Sequence, residues 1–244
     1  TLTLKETENI LLDEEVSRNV SVREVFEAKN LARVIEYMNL KGGRLSLTSE
    51  TILMFHKMLL ENIDDNIAGR FRQKNEYVRV GSHIAPPPEH VERMIDTILL
   101  EYENNIDDYP LDKIAKFHLD FETIHPFLDG NGRIGRVMVN FQLNRFGFPN
   151  ILIRDKEKKT YYQAFREYND SGKTKVMEKI VVLALLESFH KRISYFRGTS
   201  IVPLSEFAKS SERSLSSLIN LAKRQTIPAF RERGVWKIGV NSSI

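Results

Sequence analysis

A hydrophobic period of helical length runs through most of the first 196 residues and lapses in one stretch. Apolar residues recur three to five positions apart over 13–40 (Val22, Phe26, Leu31, Val34, Met38). Over 49–62, Ile52, Phe55, Leu59 and Leu60 share a face. After the break at Lys41-Gly42-Gly43 and again after the lapse, the period returns at Glu89–Glu103, at Leu111–Ile124 and after Gly132; it predicts further helices over 158–169 and 174–196. Pro126 ends the Leu111 helix, because the residue before a proline is pushed out of the helical region, and Gly147 with Pro149 ends the next. The lapse lies between Gly69 and Pro88, where Phe71, Tyr77, Val78, Val80 and Ile84 alternate loosely with polar residues. That pattern predicts a β-hairpin turning at Lys74-Asn75-Glu76. The expectation is an all-α bundle with a small hairpin.

Composition removes several classes of function. With no cysteine among 244 residues there is no disulfide, thiolate metal site or cysteine nucleophile. That suits a reducing compartment, and a cytoplasmic location is predicted. The apolar run Ile180–Leu186 falls far short of the roughly 20 residues a bilayer span needs, so no membrane contact is expected. No signal peptide is visible. Charge is nearly balanced overall, but residues 198–244 carry seven basic against three acidic side chains. Three regions are predicted: an N-terminal helical region (1–40), a core (41–197) and a small C-terminal module (198–244). The last has short helices at Leu204–Lys209 and Ser214–Arg224 and a two-stranded wing from Pro228–Phe230 and Val235–Ile238.

The chemistry is concentrated in His125-Pro-Phe-Leu-Asp129-Gly130-Asn131-Gly132-Arg133-Ile134-Gly135-Arg136. Two glycines flank Asn131 just before a helix. They permit the dihedrals that turn successive backbone N–H groups inward, making a nest for an anion at the helix N-terminus. Arg133 and Arg136, three apart in the first turns, oppose the helix dipole and repel each other. A polyphosphate between nest and arginines accounts for that arrangement. Asp129 beside phosphates is unfavourable unless Mg²⁺ bridges them. His125 titrates near neutrality and is a natural general base for a hydroxyl nucleophile.

This stretch resembles, at all twelve positions, the signature His-Pro-Phe-x-Asp-Gly-Asn-Gly-Arg-x-x-Arg of the Fic family, protein adenylyltransferases that transfer AMP from ATP. Gly69-Arg70-Phe71-Arg72, Val80-Gly81-Ser82-His83 and Tyr161-Tyr162 with Asn169 also resemble that family, and the likeness extends from residue 1 to about 195. The resemblance implies that His125 deprotonates the target hydroxyl and Asp129 holds Mg²⁺. Gly130, Asn131 and Gly132 cradle the phosphates, with Ile134 and Gly135 in the same nucleotide-binding stretch. Arg133 and Arg136 grip the β and γ phosphates. Tyr161 and Asn169 lie beside the adenosine, and Val80, Gly81, Ser82 and His83 border the nucleotide. The hairpin, residues 70–85, is implied to pair its backbone with a target protein. Gly132 matters for reaction type, since the related kinase-like toxins carry Lys there. Thr1-Leu-Thr-Leu-Lys-Glu-Thr resembles the segment that follows the family's inhibitory Ser/Thr-x-x-x-Glu-Gly/Asn motif, so the chain is expected to lack that brake.

His118 and His56 read as packed core histidines, His90 and His190 as surface residues, and Phe127 as the anchor of the loop. The C-terminal module resembles winged-helix modules around Thr226–Ile238, which leaves DNA binding and protein docking equally open for 198–244. A homodimer is also left open. Three other readings stand beside AMP transfer: transfer of another nucleotide or AMP removal, a DNA-binding regulator with a nucleotide-sensing half, and an idle scaffold.

Overall fold

The computed structural model describes residues 2–13, 20–81, 83–154, 158–211 and 213–240. Helix α1 (Leu4–Glu8) starts at a capping box in which Thr3 and Glu6 satisfy each other's backbone N–H, and it runs into a π turn at Asn9–Asp13. Helix α2 (Val22–Lys41) follows, then α3 (Ser49–Leu60), whose first turn is capped by Thr48. Helices α4 (Pro88–Asn104) and α5 (Pro110–Ile124) each open on a proline, whose missing N–H costs nothing at that position. Pro88, expected to close the hairpin, therefore starts a helix as well. Helix α6 (Asn131–Arg145) begins at Asn131 rather than after Gly132, and α7 (Lys158–Ser171) and α8 (Lys175–Phe196) complete the bundle. The chain is mainly helical, as the period predicts. Among the described residues no helix is long and apolar enough to cross a membrane.

Two cores share α5 and α6. One gathers Val34 and Met38 of α2, Phe55 of α3, Ile95 of α4, Phe117 and Phe121 of α5, and Phe141 of α6. The other joins Ile114, Ala115 and Leu119 of α5 to Val139 and Leu143 of α6, Ala164 of α7 and Val181 of α8. Helix α5 thus buries opposite flanks in different cores, with Asp112, Lys113, Lys116, Asp120 and Thr123 on the side between them. The loop from His125 to Gly130 joins these two clamped helices, which fixes both of its ends.

The hairpin is shorter than predicted and turns elsewhere. Strands β1 (Arg79–Val80) and β2 (His83–Ile84) pair antiparallel, and Ala85 N–H adds a bond to Val78 O. The reversal takes in Gly81 (φ 59°) rather than Lys74-Asn75-Glu76. A turn does exist there, closed by Glu76 N–H on Gln73 O at 2.9 Å. Arg70, however, holds the Glu76 carboxylate through two 2.8 Å bonds, which makes 70–76 a rigid loop rather than strands. Tyr77 and Ile84 are exposed on the hairpin.

The C-terminal residues form β3 (Ser200–Pro203), α9 (Leu204–Ser210), α10 (Leu215–Lys223), β4 (Ala229–Glu232) and β5 (Val235–Val240), in an antiparallel sheet ordered β3-β5-β4. The third strand, β3, was not legible in a four-residue segment ending in proline. Leu204, Leu218, Ala222, Ala229 and Ile238 make its core. It is fastened to α8 by Arg231 on the buried Glu187 at 2.8 Å and by His190 Nδ1 against Gln225 Oε1 at 2.8 Å. His190 is thus a bonded contact rather than a surface residue. Arg231, Arg233 and Lys237 are all engaged by carboxylates, of Glu187, Glu8 and Glu232 respectively.

Candidate active site

The loop between α5 and α6 is fixed by side chains that do no chemistry. His125 caps α5 in the left-handed region (φ 49°, ψ 62°), and Gly130 enters α6 at φ 84°. A Cβ at Gly130 would stand 3.1 Å from Leu60 Cδ2 and be strained by that dihedral, so glycine is required twice over. Phe127 is fully buried and stacks on His56 at 3.7 Å between ring centres. His56 accepts from Gly69 N–H at 3.0 Å, and its Nε2–H donates to Asp129 O at 3.0 Å. Both of its nitrogens are therefore used, and burial lowers its pKa to about 4, keeping it neutral. Arg72, also buried, donates to the carbonyls of His125 (2.8 Å), Ile124 (3.2 Å) and Pro86 (2.9 Å), satisfying the end of α5.

Asn131 serves the loop with its side chain. Its Oδ1 accepts from Phe127 N–H at 2.8 Å and its Nδ2 donates to Phe127 O at 2.7 Å. What it can offer an anion is its backbone N–H. The first intrahelical bond of α6 runs from Ile134 N–H to Gly130 O at 2.9 Å, so the N–H groups before it have no helical acceptor.

Two adjoining cavities share His125, Gly132 and Arg136. One, of about 270 Å³, is bounded by Asp129, Gly130, Asn131 and Arg133. The other, of about 530 Å³, is bounded by Val80, Gly81, His83, Tyr161 and Asn169. Two expected positions fall elsewhere. Ile134 is fully buried in the first core with its N–H taken, and Gly135 is buried between α6 and α5, so neither lines these cavities. Helical geometry turns 134 and 135 away from the face that carries 133 and 136. Ser82 lies outside the described residues. His83 Nε2 meets Thr123 O at 2.8 Å and pins the hairpin to the end of α5.

The electrostatics suit a polyanion. Arg133 is paired with Asp129 at 3.1 Å and with Glu27 of α2 at 3.0 Å. Arg23 of α2 also pairs with Asp129, and with Glu27 at 3.1 Å, closing a ring of two carboxylates and two arginines. Arg136 forms no ion pair among the described residues. Burial acts to raise the Asp129 pKa, but Arg133, the Gly130 N–H and Arg23 outweigh it and hold the carboxylate ionised. Burial lowers His125 to about 4, against its long 3.4 Å contact with Glu122 O; Arg72 and His83 push the same way as burial. His118 meets Tyr161 OH at 2.6 Å and is lowered to about 3 by burial and Arg136, while burial raises Tyr161. Arg23, Glu27 and Glu122 escaped the sequence reading, since an ordinary exposed i, i+4 pair on α2 and a lone glutamate in a helix look like solvated surface.

Phe127→Ala removes the anchor of this loop. It is expected to cost about 3–5 kcal/mol, read as a lowered urea midpoint. Unchanged stability would show that the loop is held by its polar bonds alone.

The architecture is a helical bundle whose central interhelical loop sets a helix N-terminus and an imidazole beside two adjoining cavities. Residues 46–143 match the Fic/DOC family. The chain carries a domain of that family over those residues. It is 30% identical over 175 residues to the protein adenylyltransferase Fic of Drosophila willistoni, a match covering 70% of this chain and 34% of that protein. The chain thus spans about a third of the length of the curated relatives it matches. Among solved structures, Fic-1 (residues 134–508, E274G) from C. elegans superposes with a TM-score of 0.72 at 25% identity, covering 82% of this chain and 60% of that one. A Fic family protein from Desulfovibrio desulfuricans G20 covers 100% of this chain and 83% of its own, with a TM-score of 0.65 at 20% identity, a likeness of fold.

Proposed function

We propose that the chain is a protein adenylyltransferase that moves AMP from Mg-ATP to a Ser, Thr or Tyr hydroxyl of a target protein. The observation that carries this reading is the meeting of Arg136, which has no ion pair among the described residues, a helix N-terminus and a neutral His125 at the junction of two cavities. The smaller cavity suits phosphates. The larger suits a nucleoside, with Tyr161 and Asn169 along it. His125 Nε2 takes the proton of the target hydroxyl, whose oxygen bonds to the α-phosphorus. The bond from that phosphorus to the oxygen bridging to the β-phosphate breaks, and pyrophosphate leaves. Arg133 and Arg136 neutralise the β and γ phosphates, and the α6 N–H groups position them.

Asp129 fits a magnesium ion: it is an ionised, half-exposed carboxylate on the wall of the phosphate cavity, and Mg²⁺ typically takes one or two carboxylates plus phosphate oxygens. Among the described residues no cluster of three or more His, Cys, Asp or Glu forms a metal cage, in keeping with a site completed by phosphate. When bound, the ion supplies charge neutralisation at the phosphates. Asp129→Asn is expected to raise the magnesium concentration for half-maximal labelling by about ten-fold or more. An unchanged magnesium dependence would move the metal to other ligands.

The target is proposed to lie along 70–85, where Tyr77, Val80 and Ile84 stand exposed on the hairpin. Residues 198–244 are proposed to dock a protein rather than DNA, because three of their cations are already engaged by carboxylates. The test of function is incubation with ATP labelled at the α-phosphate. Protein-bound label supports AMP transfer; label transferred only from γ-labelled ATP means a kinase, and no transfer of either removes the reading.

A further inference from the structure

Glu122 lies one turn before His125 on α5, with Oε2 3.9 Å from the imidazole Nδ1. Its side chain is nearly enclosed, and Oε1 is buried with no hydrogen-bond partner. A carboxyl oxygen left so costs stability that packing does not return. Space for it exists because position 135 is glycine: a Cβ there would stand 2.4 Å from Glu122 Oε1. Both His125 and Glu122 border the larger cavity.

We propose that Glu122 is a positioning residue for His125: it faces the Nδ1 edge, keeps Nε2 turned to the cavity, and supplies the charge that stabilises the imidazolium formed when Nε2 takes the target's proton. This rests on the adenylyltransferase reading.

The charged and titratable groups around the pair are His118 on the same helix, Arg136 from α6, Tyr161 from α7, and Arg72 and His83 from the hairpin side. Burial raises Glu122 to about 7, opposed by Arg136, whereas burial lowers His125 to about 4. Taken singly, both groups are neutral between these values. At 3.9 Å their mutual attraction favours the alternative in which the same proton sits on the imidazole and the carboxyl is ionised. Above about pH 7 that proton leaves, so His125 is neutral beside an ionised Glu122, and the proton taken from the target hydroxyl does not create a lone buried cation. It completes a pair whose negative member is already in place.

The test uses the full chain with Glu122→Gln, which keeps the shape and removes the charge. In nitrogen-resolved NMR of nucleotide-free protein, the wild-type His125 signals are expected to shift in two steps, the upper one following the ionisation of the coupled Glu122 near pH 7. E122Q loses that step and keeps a single transition at lower pH. Transfer from α-labelled ATP is expected to fall about ten-fold in kcat, with KM for ATP within about two-fold. Glu122→Asp, which retracts the charge, restores part of both signals and carries the comparison should E122Q not fold. Superimposable His125 titrations in wild type and variants overturn the proposal. So does a loss confined to KM for ATP, which would make Glu122 a nucleotide contact. A wild type that never transfers label while its His125 still shows the upper step defeats the functional reading alone.

Discussion

His125→Ala abolishes labelling from α-labelled ATP, with an expected loss of about 10²–10⁴-fold, the usual worth of a positioned general base. ATP affinity should change by no more than a few-fold, because the phosphates are proposed to rest on the α6 N-terminus, Arg133 and Arg136. The control is conformational. His125 sits at φ 49°, a region that asparagine tolerates better than alanine. His125→Asn should thus keep more stability than His125→Ala and be equally inactive, which separates backbone strain from chemistry. A tenth of the wild-type rate in either variant would place the base elsewhere.

Mild acid is expected to unfold the protein. His56 and His118 are held neutral by burial, with pKa values lowered to about 4 and about 3 from an ordinary 6.5. Each folded-state value is depressed, so the unfolded chain takes up their protons first. The stability these groups contribute is full above pH 6.5 and is lost as the pH falls towards the folded values. The neighbouring pair does not add to this. His125 is lowered and Glu122 raised, to about 4 and about 7, so between those values the folded pair holds one proton. The unfolded pair near pH 5.5 holds about one as well. Two protons of difference remain, a slope of about 2–3 kcal/mol per pH unit, large against the roughly 5–15 kcal/mol of a typical domain. Urea midpoints at pH 7.5 and 5.5 measure it. A midpoint that is equal or higher at pH 5.5 would show that water reaches these histidines.

The helices were legible because burying one side of a helix imposes its period on the chain. Helices α3, α4, α5 and α8 fall within a residue or two of their predicted ends. The hairpin was misplaced because two residues per strand leave almost no alternation to read, and because the Arg70–Glu76 pair that stiffens 70–76 is set by folding. Strand β3 was missed for the same reason: its partner is β5, some 35 residues further along the chain.

The twelve residues from His125 to Arg136 determined by themselves the chemistry on offer, because a glycine-flanked turn entering a helix places N–H groups, two arginines and a carboxylate within a few ångströms whatever surrounds them. Only the tertiary structure decided which of these residues face the cavity and which face the core. It turned Ile134 and Gly135 inward, gave the Asn131 side chain to the loop, and brought Arg23, Glu27 and Glu122 against the site. Burial and through-space charge set those outcomes, and they depend on which helices pack together rather than on spacing along the chain.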